Sequence, residues 1–291
     1  MKRLIFVITL LIPFVSHAAK EEIESPSPPE IGNFAHTFSP FSTFAFGQNI
    51  FVKNTFLFYP SLFQCAGKNF TSIELTPAVL YSPTDSFSVY AGLPIVLKDT
   101  SDGVTQRGIG DFFFQCEYAL IDHSTTHAEN MLTIVGNVAA PTTHLSTSDC
   151  IQTTTNYAAT SFFLGTTMCR ISVQSYMYAS LGATLHTKKH DVRSGANILY
   201  EAGVGLNIVS TNKVTIVGLL ECNGEYSLKD SVDHCKDPDT GGNIIYLGPT
   251  LSLTSNRWVV TGGIQIPVVQ HLNGTQDKTR YRTSLQVALG F

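Results

Sequence analysis

The sequence has little charge and, beyond its first fifteen residues, no long apolar run. A membrane-spanning helix needs about 20 consecutive apolar residues; the stretch Leu4 to Val15 is shorter, and nothing after it comes close. Polytopic helical membrane proteins are excluded. Charged residues are 14% of the 291, against about 25% in ordinary soluble domains, so a surface wetted on every side is hard to build. Positive charge is not in excess, with 18 Lys+Arg against 22 Asp+Glu, and nothing remains to neutralise phosphates; a basic nucleic-acid binder is excluded. Disorder is excluded too, because 43% of the residues are hydrophobic and 11% aromatic. No G-x-x-x-x-G-K-[ST] loop occurs, which argues for a passive rather than nucleotide-driven protein. There is no G-x-S-x-G elbow and no CxxC spacing. No catalytic residue, cofactor or metal ligand is therefore expected.

What is present begins with an export signal. Lys2 and Arg3 precede the apolar stretch, and Ser16-His17-Ala18 supplies the small residues of a signal-peptidase site. Residues 1–18 read as a cleavable signal peptide, which places the mature chain where disulfides form. Residues 19–45 read as a tether or plug. Lys20 to Glu30 is charged and proline-rich, whereas Ile31 to Ala45 carries Phe34, Phe38, Phe41 and Phe44, too many for a free tail. That stretch could enter a barrel mouth, lie on a rim or form an extra strand.

From about Gly47 to the end, segments of roughly ten residues alternate apolar with polar or small side chains. The last is the clearest: Tyr281, Thr283, Leu285, Val287, Leu289 and Phe291 form one face, and Arg282, Ser284, Gln286, Ala288 and Gly290 the other. Only a strand, with its period of two, turns this pattern into two faces. About twelve such segments fall near 47–59, 70–81, 86–97, 109–120, 130–140, 156–167, 170–184, 196–209, 214–227, 243–253, 257–268 and 281–291. Short links such as 82–85, 210–212 and 254–256 alternate with longer polar ones at 98–107, 141–155, 186–195, 229–242 and 270–280. Tight turns at one end and long loops at the other, with an even strand count, predict an all-β fold. The expected fold is a transmembrane antiparallel β-barrel of about 12 strands over residues 46–291, in the outer membrane. A soluble β-sandwich also alternates, but there the apolar faces meet each other, whereas here they would meet lipid.

Tyr81, Phe87, Trp258 and Phe291 share the apolar parity and lie beside the short turns, as an interfacial aromatic girdle would. Tyr281, Leu285, Val287, Leu289 and the terminal Phe291 read as the signal recognised by the outer-membrane assembly machinery. That machinery, outer-membrane lipid and a small-molecule solute are the expected partners.

Several stretches resemble a known family: Gly92-Leu93-Pro94-Ile95 through Gly108-Ile109-Gly110-Asp111 to Glu117-Tyr118, then Gly136 to Thr142, and Gly263-Ile264-Gln265-Ile266-Pro267 to Phe291. They resemble the outer-membrane "MetA-pathway of phenol degradation" transporter family over residues 45–291. The stretch Cys150 to Asn156 and the six cysteines depart from that pattern. The resemblance implies a Gram-negative outer-membrane barrel that passes small, hydrophobic or aromatic molecules, and it supplies no catalytic residues.

If apolar faces meet lipid, the opposite faces line the lumen, because a charge on the lipid face at the bilayer midplane costs roughly 2–4 kcal/mol. Parity places Glu74, Tyr90, Asp111, Glu117, Tyr176, Tyr178, Glu201, Glu221, Glu225 and Arg282 there, with Gln115, Asn137, Asn223, Gln265 and Gln286 beside them. The acids are expected to face Lys53, Lys98 and Arg282, and the tyrosines to touch a solute. Twelve strands lie between the filled eight-stranded barrel and the open 16–18-stranded pore, so a narrow or plugged passage is expected. The alternatives are a structural or surface-adhesion barrel without transport, or a hydrolase on the loop rim drawing on His144, Asp149, His186, His190, Asp191, His234 and His271. Cys65, Cys150 and Cys235 are expected in long loops, where one disulfide could join two of them, and Cys116 and Cys222 on the lipid face.

Overall fold

The structure, a computed structural model, describes residues 46–47, 53–101, 103–125, 128–142, 159–172, 174–188, 192–211, 213–233, 235–255 and 257–290. Twelve antiparallel strands close into a barrel. They are β1 (Thr55–Phe58 and Ser61–Gly67), β2 (Phe70–Thr76 and Ala78–Thr84), β3 (Phe87–Gly92 and Ile95–Ser101), β4 (Val104–Ile109 and Phe112–Ser124) and β5 (Ala128–Ala140). There follow β6 (Ser161–Ser172), β7 (Ser175–His186), β8 (Asn197–Ser210), β9 (Val214–Ser227), β10 (Gly242–Ser255), β11 (Trp258–Leu272) and β12 (Thr279–Gly290). Each pairs with its sequence neighbour. The last strand closes on the first, with Phe58 opposite Leu289 and Leu62 opposite Leu285.

The first four strands are each interrupted once, at Tyr59-Pro60, Pro77, Leu93-Pro94 and Gly110-Asp111. Proline has no N–H to give to a ladder, yet its carbonyl still accepts. Val287 donates to Pro60 O at 3.0 Å, Leu93 to Pro77 O at 3.2 Å and Gly110 to Pro94 O at 2.7 Å. Pairing therefore resumes beyond each interruption, and sequence periodicity misplaces these strands. The first runs 55–67 rather than 47–59. Cys65 consequently lies on β1, buried and disulfide-bonded, and not in a loop. Likewise, the polar link expected over 98–107 is strand, turning tightly beside Gly103. At the turn itself Val104 and Thr105 are both exposed, so no alternation marks it. At β6 the strand runs five residues past Thr167, the expected end, because Cys169, Arg170 and Ile171 keep their partners Met131, Asn130 and Glu129 on β5 although their own pattern has faded.

The face pattern is inside out relative to a soluble barrel. Leu164 and Leu206 are each 66% exposed, and Leu181, Leu185, Val204, Leu220, Leu251, Ile264, Ile266 and Leu285 are exposed with them, while the alternate residues are buried or half-buried. An apolar band this continuous is far larger than a monomer in water carries; hydrocarbon solvates it. Tyr81 and Trp258 lie exposed on this outer face at the short-turn end, with Phe87 half-buried beside them. Phe291 lies outside the described residues. Cys222 faces outward as a free, exposed thiol, and Cys116 is free and half-buried.

Two apolar clusters fill the short-turn half of the lumen from opposite walls. Leu57, Tyr59, Ala78, Leu80, Val259 and Ala288 form one, and Tyr176, Tyr178, Val217 and Leu219 the other. In the second, Gly203 leaves the space that the Tyr178 ring occupies: a Cβ there would stand 2.2 Å from Cε1. Gly203→Ala is expected to destabilise the barrel by about 1–3 kcal/mol through overpacking, read as a lower denaturant midpoint with an unchanged slope.

Candidate functional site

All ten parity-selected lumen positions carry buried or inward-packed side chains, and the structure sorts them into separate groups. The largest is built around Arg282 of β12, which is 0% exposed. Its Nε donates to Gln265 Oε1 at 2.8 Å, and a second guanidinium nitrogen donates to the same oxygen. Gln265 of β11 in turn donates to Asn223 Oδ1 at 2.8 Å and to Glu221 Oε2 at 3.4 Å, both on β9. The guanidinium carbon sits 3.9 Å from the centroid of the Tyr246 ring, where the face of the ring attracts a cation. Glu201, Glu221 and Glu225 all interact electrostatically with Arg282. One cation thus answers three carboxylates from neighbouring walls.

Lys53 and Lys98 do not share that role. Both are exposed, and Lys53 only donates its backbone N–H to Asp85 Oδ1 at 2.7 Å. The expectation of three facing cations is corrected to one: Lys53 lies in the turn ahead of β1, and the bulge in β3 changes the parity on which Lys98 was placed.

A second group lies at the strand interruptions. The Tyr59 hydroxyl donates to Gln286 Oε1 at 2.7 Å, Gln115 to Glu117 Oε1 at 2.6 Å, and Asn137 to Gln115 Oε1 at 3.2 Å. Tyr90 stands between Tyr59 and Phe113, with ring centroids 5.7 and 5.1 Å away. Tyr176 and Tyr178 belong to the apolar cluster near the short turns, 5.8 Å apart. Glu74 accepts from Thr76 Oγ1 at 3.0 Å, and Asp111 from the Thr142 N–H at 3.4 Å.

A third group was not legible from periodicity. The Phe46 N–H donates to Glu201 Oε2 at 3.2 Å, Thr167 Oγ1 donates to Phe46 O at 2.9 Å, and the Phe46 ring meets Phe163 edge-on at 4.6 Å. Thr167 shares a further hydrogen bond with Ser180, 2.9 Å long. Phe46 lies outside any strand, so no alternation marks it. Tyr246 escaped for another reason: Ile244, Ile245, Tyr246 and Leu247 make both faces of β10 apolar, and parity then has nothing to choose between.

Across the loop end, three connections interlock. Gly195 and Asp230 are joined by a 2.7 Å bond to Asp230 Oδ1, Asn273 reaches Thr240 O at 2.9 Å, and a small sheet pairs Val192–Arg193, Ser231–Val232 and Cys235–Lys236. Burial pushes the Asp230 carboxyl up from its ordinary value and Asp237 adds to this, while the Gly195 N–H opposes both. Of the rim residues considered for a hydrolase, His186 is buried and faces inward and His271 is exposed; the other five lie outside the described residues. Among the described residues no group of His, Cys, Asp and Glu is arranged to hold a metal ion. Cys235 is a free, exposed thiol, which removes it from the expected loop disulfide; Cys150 lies outside the described residues.

Among solved structures, the COG4313 outer membrane channel from Pseudomonas putida F1 superposes with a TM-score of 0.69 at 10% identity, covering 87% of this chain and 100% of that chain. The fold is that of an outer-membrane channel. It matches the barrel that the family resemblance implied. The NanC porin is a more distant match, with a TM-score of 0.48 at 8% identity over 80% of this chain and 98% of its own. No family model and no curated protein matches the sequence.

Proposed function

We propose that this protein is a passive outer-membrane channel for small, hydrophobic or aromatic molecules. The observation that carries the reading is the segregation of the two faces: an apolar outside, and an inside where acids, amides and tyrosines converge on one buried arginine. A barrel serving only as a scaffold has no need to bury a cation among three carboxylates; a passage that selects solutes needs fixed polar groups. Tyr90, half-buried beside Tyr59 and Phe113, offers a ring to an aromatic solute, and the excess of acids favours cations over anions. The protein acts without catalysis, reaches the outer membrane by its signal peptide, and is inserted by the assembly machinery reading Tyr281, Leu285, Val287, Leu289 and Phe291.

A second reading, a structural barrel without transport, is favoured by one fact: Arg282, Gln265 and Glu221 are 0% exposed. Reconstitution separates the two. In planar bilayers and vesicle-swelling assays the channel reading expects discrete conductance steps and faster swelling with small aromatic solutes than with sugars of similar mass. Silence with every ion and solute, at low and high salt, would establish the structural barrel.

A further inference from the structure

We infer that Arg282 sets the charge specificity of the channel and that acidification inverts its preference from cations to anions; the inference rests on the channel reading above. The buried charges carry it. Among the described residues, Glu201, Glu221 and Glu225 on β8 and β9, and Glu74, Asp99, Asp111 and Glu117 on or beside β2 to β4, are each less than a tenth exposed. Arg282 is 0% exposed, and every other described lysine and arginine is exposed. The two kinds of charge answer acid differently. A carboxylate loses its charge on taking up a proton, whereas a guanidinium is not deprotonated in proteins and stays positive. The fixed charge of the lumen is therefore negative while the acids are ionised and positive once they are protonated.

Arg282 also stays in place when the acids around it are neutral. It donates to Gln265 Oε1 through Nε and a second nitrogen, and its guanidinium carbon lies 3.9 Å from the Tyr246 centroid. Neither an amide nor a phenol changes charge in acid. Gln265 is held in turn by Asn223 Oδ1 at 2.8 Å, a second neutral amide. Gln265 is thus a positioning residue, fixing the cation independently of the carboxylates. The titratable groups that face Arg282 are Glu201 from β8, Glu221 and Glu225 from β9, and Tyr246 from β10. Cys65, opposite it on β1, is disulfide-bonded and does not titrate. His186 on β7 is buried and faces inward near the loop end; it gains charge of the same sign in acid and has to be separated by a variant. Buried charges act on a passing ion with little screening, whereas exposed rim charges are screened by salt.

The test is the reversal potential of the full chain in planar bilayers, across a KCl gradient whose dilute side is about 0.3 M, where exposed charges are screened within about 6 Å. The potassium-to-chloride permeability ratio is expected above about 3 at about pH 7, and below about one-third at about pH 3, beneath the ordinary carboxylate range. Glu221→Gln combined with Glu225→Gln is expected to lower the neutral ratio by about twofold or more and to leave the acid ratio unchanged. Adding Arg282→Met to that pair is expected to abolish the preference for chloride in acid. His186→Gln is expected to keep the inversion. A heat-modifiable gel shift at both pH values confirms that each variant is folded. Conductance without inversion in the wild-type chain overturns the inference and leaves the channel reading intact. Inversion that survives Arg282→Met, or that vanishes with His186→Gln, overturns the role of Arg282. A neutral ratio that the two glutamines leave unmoved overturns it equally. Silence of the wild-type chain at both pH values overturns the channel reading as well.

Discussion

Arg282→Met is expected to destabilise the barrel by about 3–5 kcal/mol, the range for removing one partner from a buried ion network. The size follows from isolation. Arg282 is 0% exposed, it donates to the neutral amide oxygen of Gln265, and the acids that it compensates, Glu201, Glu221 and Glu225, are themselves buried. Methionine fills most of the volume and still stacks on Tyr246, so packing loss is small and the deficit is electrostatic. The control is internal. Adding Glu221→Gln and Glu225→Gln to Arg282→Met removes two of the three uncompensated carboxylates and is expected to recover at least half of the loss, a non-additivity reserved for groups in one network. The single tryptophan, Trp258, reports unfolding by fluorescence in a urea series. A loss below about 1 kcal/mol, typical of exposed pairs, would mean that water reaches the acids and that the network is not sealed.

A charge placed on the outside separates lipid from water as the solvent of that face. Leu220 is 50% exposed at the middle of β9, and Tyr226 is 45% exposed near its loop end. Leu220→Arg is expected to cost about 2–4 kcal/mol, and Tyr226→Arg about 0–1 kcal/mol, because the penalty falls with distance from the bilayer midplane. The two substitutions share a strand and a face, so strand propensity and parity are held constant and depth alone differs. Equilibrium folding into phospholipid vesicles gives both numbers. In water, each would lie within about 0.5 kcal/mol of zero, and two equal, small values would remove the membrane from the account.

How the strands were legible, and where they ceased to be, follows from what alternation measures. A period of two records a difference between two solvents, so β12, with Leu285, Val287 and Leu289 against Arg282, Ser284 and Gln286, could be read directly. On β10 both faces are apolar and Tyr246 went unassigned; beside the turn at Gly103 the consecutive Val104 and Thr105 are both exposed, and a strand passed for a loop. Pro60, Pro77 and Pro94 look like terminators along one chain and are tolerated because neighbouring strands use their carbonyls.

By itself the sequence determined the class of the protein: an exported β-barrel with its apolar residues outward, about twelve strands, and a lumen rich in acids. Those properties are sums of local preferences. Tertiary structure alone decided which lumen groups meet, since the partners are far apart in the chain: Tyr59 and Gln286 are 227 positions apart, and Phe46 and Glu201 155. Closure of the barrel sets those distances. Parity says which way a side chain points and carries no information about what stands opposite it across the lumen.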